Sequence, residues 1–282
     1  MQAIYDKLGA YTALTDEKLR QILNDADMSK LLFDSMTYSV FAGGKRLRPA
    51  LCLASCELLG GMAEAALLPA CAVEMIHTYS LIHDDLPALD NDDLRRGKPS
   101  SHIAFGEANA IIAGDGLQTL AFLTAAQMGN PAVMQALTDG AFQMVVGQSY
   151  DLNANGDAAL LEIIHRLKTG ALIRAAVLAG AHCAEADEQE LAALASYAEQ
   201  FGLLFQITDD ILDVTGETEQ LGKTAGKDVE EDKLTFVVQH GLAGARRKAE
   251  EAAGFAHAAL EPFGDHAWFF HALTDMMLTR RA

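Results

Sequence analysis

Apolar residues recur at three- and four-residue intervals along most of the chain, and strict alternation of apolar and polar residues is almost absent. That spacing predicts amphipathic helices and little or no sheet. Over residues 1–40, Leu19, Ile22 and Leu23, then Leu31, Leu32 and Met36, mark two packing helices parted near residues 24–29. Longer apolar helices are expected over 50–60, 65–83, 103–130 and 131–151, the last two joined by Gly129-Asn130-Pro131, with another from about 158 to 181. A helix over 189–214 is followed by a glycine-punctuated loop at 215–233. Residues 234–282 read as helical, with no evident chemistry. The fold class expected is all-α, a helical bundle in a single domain of 282 residues.

Two of these helices end in a way that a packing helix has no reason to. Ile82-His83-Asp84-Asp85-Leu86 closes one, and Ile207-Thr208-Asp209-Asp210-Ile211 closes another. The first continues through Pro87, Asp90, Asp92 and Asp93 into Arg95-Arg96-Gly97-Lys98-Pro99. The second adds Asp213 one turn after Asp209, with Gln206 one turn before. Aspartate is a poor helix-interior residue, and charge beside an apolar face is costly unless it is paired or metal-bound. Two carboxylate clusters on two helices predict one cavity holding divalent cations, and the basic loop beside the first suits phosphate oxygens.

Other cations are placed to match. Phe41 to Pro49 reads FAGGKRLRP: Gly43-Gly44 free the backbone, Lys45, Arg46 and Arg48 follow, and Pro49 suits a first helical turn. A Gly-Gly bend with cations ahead of a helix is a candidate anion site, although taken alone a basic turn is more often solvated. His77 shares a helix face with Asp84. Lys168-Thr169-Gly170 interrupts an apolar helix, where glycine weakens the interior and lysine must reach solvent or an anion. Lys223, Lys227 and Lys233 sit in the glycine-punctuated loop.

Composition narrows the function classes. The 39 acidic against 21 basic residues, a net charge of −18, argue against a nucleic-acid partner. Cys52, Cys56, Cys71 and Cys183 form no CxxC and read as free thiols. The mixed N-terminus carries no signal-peptide pattern. The uncharged run 116–138 reads as a buried helix ending near Gly129, not as a membrane span. A cytoplasmic protein without membrane insertion is expected.

GGKRLRP, DDLPALDNDDLRRG, KTG, QITDDILD and LGKTAGKD occur in that order, and the chain resembles the trans-isoprenyl diphosphate synthases over nearly its whole length, most of all the bacterial farnesyl type. The resemblance implies an all-α bundle around a deep cavity, usually in a homodimer. It implies that Asp84, Asp85 and Asp90, with Asp209, Asp210 and Asp213, hold three magnesium ions on an allylic diphosphate, manganese being an alternative. By the same resemblance Arg95, Lys168, Lys223 and Lys233 grip that diphosphate, and Gly44, Lys45, Arg48, His77 and Arg96 form the pocket for isopentenyl diphosphate. Thr169 and Gln206 match polar groups near the reacting carbons. Tyr79, with Ser80 beside it, matches the floor that limits chain length. One departure is visible: LTFVVQHG follows Lys233 where many relatives carry Tyr-Pro.

The reaction so implied is head-to-tail condensation of dimethylallyl or geranyl diphosphate with isopentenyl diphosphate. Farnesyl diphosphate is the expected product, with geranylgeranyl or geranyl diphosphate as alternatives. A terpene cyclase would share the aspartates but has no need of the second diphosphate pocket, so GGKRLRP counts against it. A non-catalytic partner subunit commonly loses aspartates from one cluster, and here both are intact.

Overall fold

The structure, a computed structural model, describes residues 2–154, 157–215 and 235–280. It is an all-α bundle, as the apolar spacing predicts. Helices α1 (Gln2–Asp25) and α2 (Lys30–Val40) part where expected, and Ser29 caps α2 by accepting from the Leu32 amide. Then come α3 (Leu47–Leu58) and α4 (Leu67–Asp84). The expected helix over 103–130 is instead two, α5 (Ser101–Phe105) and α6 (Glu107–Ala126), because Gly106 between them adopts φ 84°. Asn130 caps α7 (Pro131–Asn153) with proline in the first turn. The chain continues through α8 (Leu161–Ile164), α9 (Ala171–Cys183), α10 (Glu188–Thr215), α11 (Phe236–Ala259) and α12 (Trp268–Leu278).

The centre of the bundle is α4. Val73, Met75, Ile76, Tyr79 and Ile82 are buried on it, between α3 and α6. With its leading 3₁₀ turn, Ala63–Asp84, it is long and apolar enough to cross a membrane. However, 67% of its most apolar window is buried inside the protein, which is how a core helix passes the same test. On the other side α10 packs against α11 and α12, and the Tyr197 ring meets Phe201 and Phe270 at 5.6 and 5.0 Å. Cys52, Cys56 and Cys71 are buried free thiols and Cys183 is half-buried, consistent with their reading as small core residues.

Two local departures shape the site. The basic stretch after the first aspartates is a β-hairpin, not a plain loop: Leu94–Arg95 (β1) pairs antiparallel with Lys98–Pro99 (β2). Arg96 and Gly97 both take positive φ, 54° and 76°, the two-residue turn that matches strand twist. The helix expected over 158–181 is interrupted by a π-helical turn, His165–Gly170, between α8 and α9. That turn contains the Lys-Thr-Gly run that sequence alone made anomalous. Single π turns inside helices often mark functional sites.

Candidate active site

The GGKRLRP stretch connects α2 to α3. Gly43 and Gly44 adopt φ 110° and 128°, which side chains rarely tolerate. A Cβ on Gly44 would lie 2.4 Å from the Arg96 guanidinium, and Arg96 donates to the Gly43 carbonyl. The hairpin arginine therefore lies along this backbone. Arg48 is half-buried, and desolvation lowers it to about 10, with Glu74 and Asp209 pulling up and Arg96 pulling down. Among the described residues its Nε has no hydrogen-bond partner, a costly arrangement unless an anion is to be received. His77 is held well below its ordinary value, first by burial and then by Arg48, Arg96, Arg95 and Arg46. It is therefore a neutral imidazole among cations. Burial also lowers Lys45, with Arg280 adding to the effect and Asp209 opposing it.

These residues line one cleft of about 1240 Å³, together with Asp209, Phe205 and Arg280. A cleft of that size, lined by Lys45, Arg48 and Arg96 as well as Leu8, Phe205 and Met276, suits an amphiphile with an anionic head. Arg280 comes from the C-terminal stretch that showed no chemistry in the sequence, and it donates to Asp209 at 2.8 Å. A single arginine near a chain end has no local pattern to announce it.

The first aspartate cluster lies at the C-terminal end of α4. Burial raises Asp84 to about 6, with Lys168 and Arg95 pulling down and Asp90 and Asp85 pushing up. Asp85 is buried and accepts from Arg95 Nε at 2.9 Å, with the guanidinium donating a second bond. The Asp84 and Asp90 backbones are linked, the Asp90 amide donating to the Asp84 carbonyl at 2.9 Å across the Pro87 turn.

The second cluster is reached through the π turn. Gly147 of α7 would place a Cβ 2.2 Å from the Lys168 amide nitrogen, so its lack of a side chain is what lets the turn approach α7. There Lys168 Nζ meets Asp151 at 2.6 Å. Thr169 donates to Gln206 Oε1 at 3.0 Å, and Gln206 Nε2 donates to Asp210 at 3.0 Å. Thr169 and Gln206, paired by resemblance, are thus in direct contact. Asp210, 3% exposed, also accepts from the Phe236 amide at 2.8 Å, and so ties α10 to the start of α11. Burial lowers neighbouring His165 to about 4, which keeps it neutral.

The six aspartates expected to share a metal role are therefore placed differently. Asp85 and Asp210 are bound to protein donors that hold the hairpin and α11. Asp213 is almost fully buried. Asp209 faces the cleft with Lys45 and Arg280. Among the described residues no three His, Cys, Asp or Glu side chains gather tightly enough to hold a metal by themselves. Even so, Asp84 and Asp209 fit a hard divalent cation. Both are carboxylate oxygen donors, the kind a hard divalent cation takes. Magnesium characteristically takes only one or two carboxylates and completes its shell with phosphate and water. Ser80 turns its hydroxyl back onto the His77 carbonyl at 2.9 Å. Tyr79 is 6% exposed. Lys223, Lys227 and Lys233 lie outside the described residues.

The family model described as polyprenyl synthetase matches residues 29–260. The chain is 46% identical over 286 residues to the dimethylallyltranstransferase of Fischerella ambigua, covering 96% of this chain and 83% of that protein. It is 46% identical over 262 residues to the geranylgeranyl diphosphate synthase of Cyanophora paradoxa, covering 88% and 87%. The crystal structure of a Caulobacter crescentus polyprenyl synthase complexed with calcium and isoprenyl diphosphate superposes with a TM-score of 0.88 at 29% identity, over 98% of both chains. With its bundle, its order of motifs and these relatives in agreement, the chain belongs to the polyprenyl synthetase family and is a prenyltransferase that elongates prenyl chains.

Proposed function

We propose that this prenyltransferase joins isopentenyl diphosphate to dimethylallyl and then geranyl diphosphate, releasing pyrophosphate and stopping at farnesyl diphosphate. The observation that carries the fifteen-carbon product is the Tyr79 ring. It is buried on α4, about a turn and a half behind Asp84, and its edge packs on His83 at 5.8 Å and 74°. A tail growing from the aspartates back along α4 meets that ring. Geranylgeranyl diphosphate is the second reading, favoured by the similarity to the Cyanophora paradoxa enzyme. Purified chain given magnesium and both substrates decides between them by product length. A twenty-carbon main product would displace the farnesyl reading.

In this reading Arg95 and Lys168 hold the allylic diphosphate, leaving Asp85 and Asp151 for phosphate oxygens. Lys45, Arg48 and Arg96 bind the second diphosphate, using the Arg48 Nε. Asp84 and Asp209, with Asp90 near the first, would hold magnesium, which on binding neutralises charge that builds on the leaving pyrophosphate. Thr169 and Gln206 present oriented dipoles beside the carbon chain, where the allylic carbon becomes electron-poor. The buried apolar side chains of α4 keep water from quenching it. Neither imidazole here is suited to take the final proton: His165 is buried, and His77 is held neutral first by desolvation and then by cations that resist adding another charge. The departing pyrophosphate is the better base.

The two diphosphate pockets predict a kinetic split. Arg48→Ala should raise KM for isopentenyl diphosphate roughly ten- to hundredfold, the worth of one charge-assisted hydrogen bond, and move KM for geranyl diphosphate little. Lys168→Ala should do the reverse. Steady-state kinetics with each substrate varied would reject the assignment if both variants affected both substrates equally.

A homodimer is the assembly we propose, through the outer faces of α6 and α7. Ile112, Leu123, Phe142 and Val145 are exposed on these two helices, Phe142 to 69%, and apolar surface of this kind calls for a partner. Phe142→Glu should halve the sedimenting mass. A variant that sediments like the parent chain would place the interface elsewhere.

A further inference from the structure

The cationic cleft contains an acidic residue out of keeping with its chemistry. Glu74 stands on α4 one turn before His77 and lines the same cleft as Lys45, Arg48 and Arg96. Its carboxylate acts on both Arg48 and Arg96. Left to itself, it would claim one of those guanidinium groups or repel an incoming phosphate.

Arg46 prevents this. The residue adopts the left-handed backbone conformation, φ 45° and ψ 38°, at the start of α3. Its side chain, 3% exposed, is directed at carboxylates of α1 and α4, although Arg46 also borders the cleft. It donates through Nη1 to Glu74 Oε1, through Nε to Asp16 and through Nη2 to the Val40 carbonyl, each at 2.7 Å. Both Arg46 and Glu74 side chains are 3% exposed. One guanidinium thus fastens α1, α2 and α4 together while it neutralises the carboxylate beside the anion site. Planar, forked recognition of this sort is peculiar to arginine.

We propose that Arg46 is a positioning residue that masks Glu74, so that Arg48 and Arg96 stay available to the diphosphate of isopentenyl diphosphate. This rests on the reading of the cleft as the isopentenyl diphosphate pocket. Its consequence is that two arginines two positions apart in one motif do opposite work, Arg48 binding the ligand and Arg46 cancelling a charge that would oppose it.

The test is a pair of variants read in two ways. Arg46→Met exposes the Glu74 charge and should weaken binding of inorganic pyrophosphate, measured calorimetrically without divalent cations, by roughly tenfold, as expected for one uncompensated charge at short range. In turnover the same variant should raise KM for isopentenyl diphosphate and leave KM for geranyl diphosphate within about twofold. Arg46→Met/Glu74→Gln, which removes both charges, should recover most of the pyrophosphate affinity, since neutral replacement of a buried pair is tolerated better than its breaking. If Arg46→Met does not fold, Arg46→Lys keeps a positive charge beside Glu74 and should retain affinity despite a lower Tm. Masking is overturned if the double variant binds as weakly as the single, or if affinity falls in step with Tm in every variant. Should the parent chain bind pyrophosphate in this way yet fail to consume isopentenyl diphosphate, the functional reading fails while the masking still stands.

Discussion

Asp84→Asn is expected to abolish useful turnover while making the protein more stable at neutral pH. The loss should be about three orders of magnitude, equivalent to roughly 4 kcal/mol of charge stabilisation at the leaving group. The gain in stability has a separate origin. Burial, with neighbouring carboxylates adding to it, raises Asp84 from 3.8 to about 6. The native state therefore holds this proton more tightly than the unfolded chain does. The group's favourable contribution is fully present below pH 3.8 and is lost as the pH rises through about 6. Keeping the carboxylate ionised at pH 7 then costs about 3 kcal/mol, which asparagine does not incur. Urea unfolding without divalent cations should show a higher midpoint for the variant at pH 7 and a smaller difference at pH 4. An asparagine variant that is less stable at both pH values would remove the argument, and so would one that keeps parental turnover.

Tyr79→Ala should shift the main product from fifteen carbons to twenty or more. The ring is held by a T-shaped contact with His83, one turn nearer the aspartates, and His83 Nε2 lies 3.0 Å from the Ile111 carbonyl of α6. Gly114 leaves room for that imidazole, since a Cβ there would come within 2.1 Å of it. Ser80, with its hydroxyl on its own helix, contributes less bulk to the wall. Removing a buried aromatic costs roughly 3–5 kcal/mol, so Tyr79→Met serves as a milder companion, with smaller lengthening expected. Chromatography of the dephosphorylated products gives the answer. A folded, active Tyr79→Ala enzyme still ending at fifteen carbons would mean that another side chain sets the limit.

What could be read from the chain beforehand was periodic or clustered. Apolar spacing sufficed for the helices, and the two aspartate runs stood out because they ended apolar helices. The stretch from Lys45 to Arg48 shows why the rest was hidden: Lys45, Arg46 and Arg48 look alike as cations in a sequence. Only the left-handed backbone at Arg46 turns one of them inward to Asp16 and Glu74. The aspartates posed the same difficulty. Asp210 is chemically identical to Asp209, yet it accepts from the Phe236 amide far along the chain, a contact that no local pattern announces. The roles of Arg280 and Glu74 were hidden because each acts through partners far along the chain, Asp209 for one and Arg46 for the other, which leaves no local pattern.

The π turn at His165–Gly170 has a geometric meaning beyond the site. A turn that is one residue too wide acts as a phase shifter, offsetting the angular register of α9 from that of α8. Within it Lys168 and Thr169, adjacent in the chain, aim at different helices, Asp151 on α7 and Gln206 on α10. Loss of a single residue there would scarcely alter composition or hydropathy. It would nonetheless rotate everything downstream against everything upstream, and one of the two side chains would lose its target.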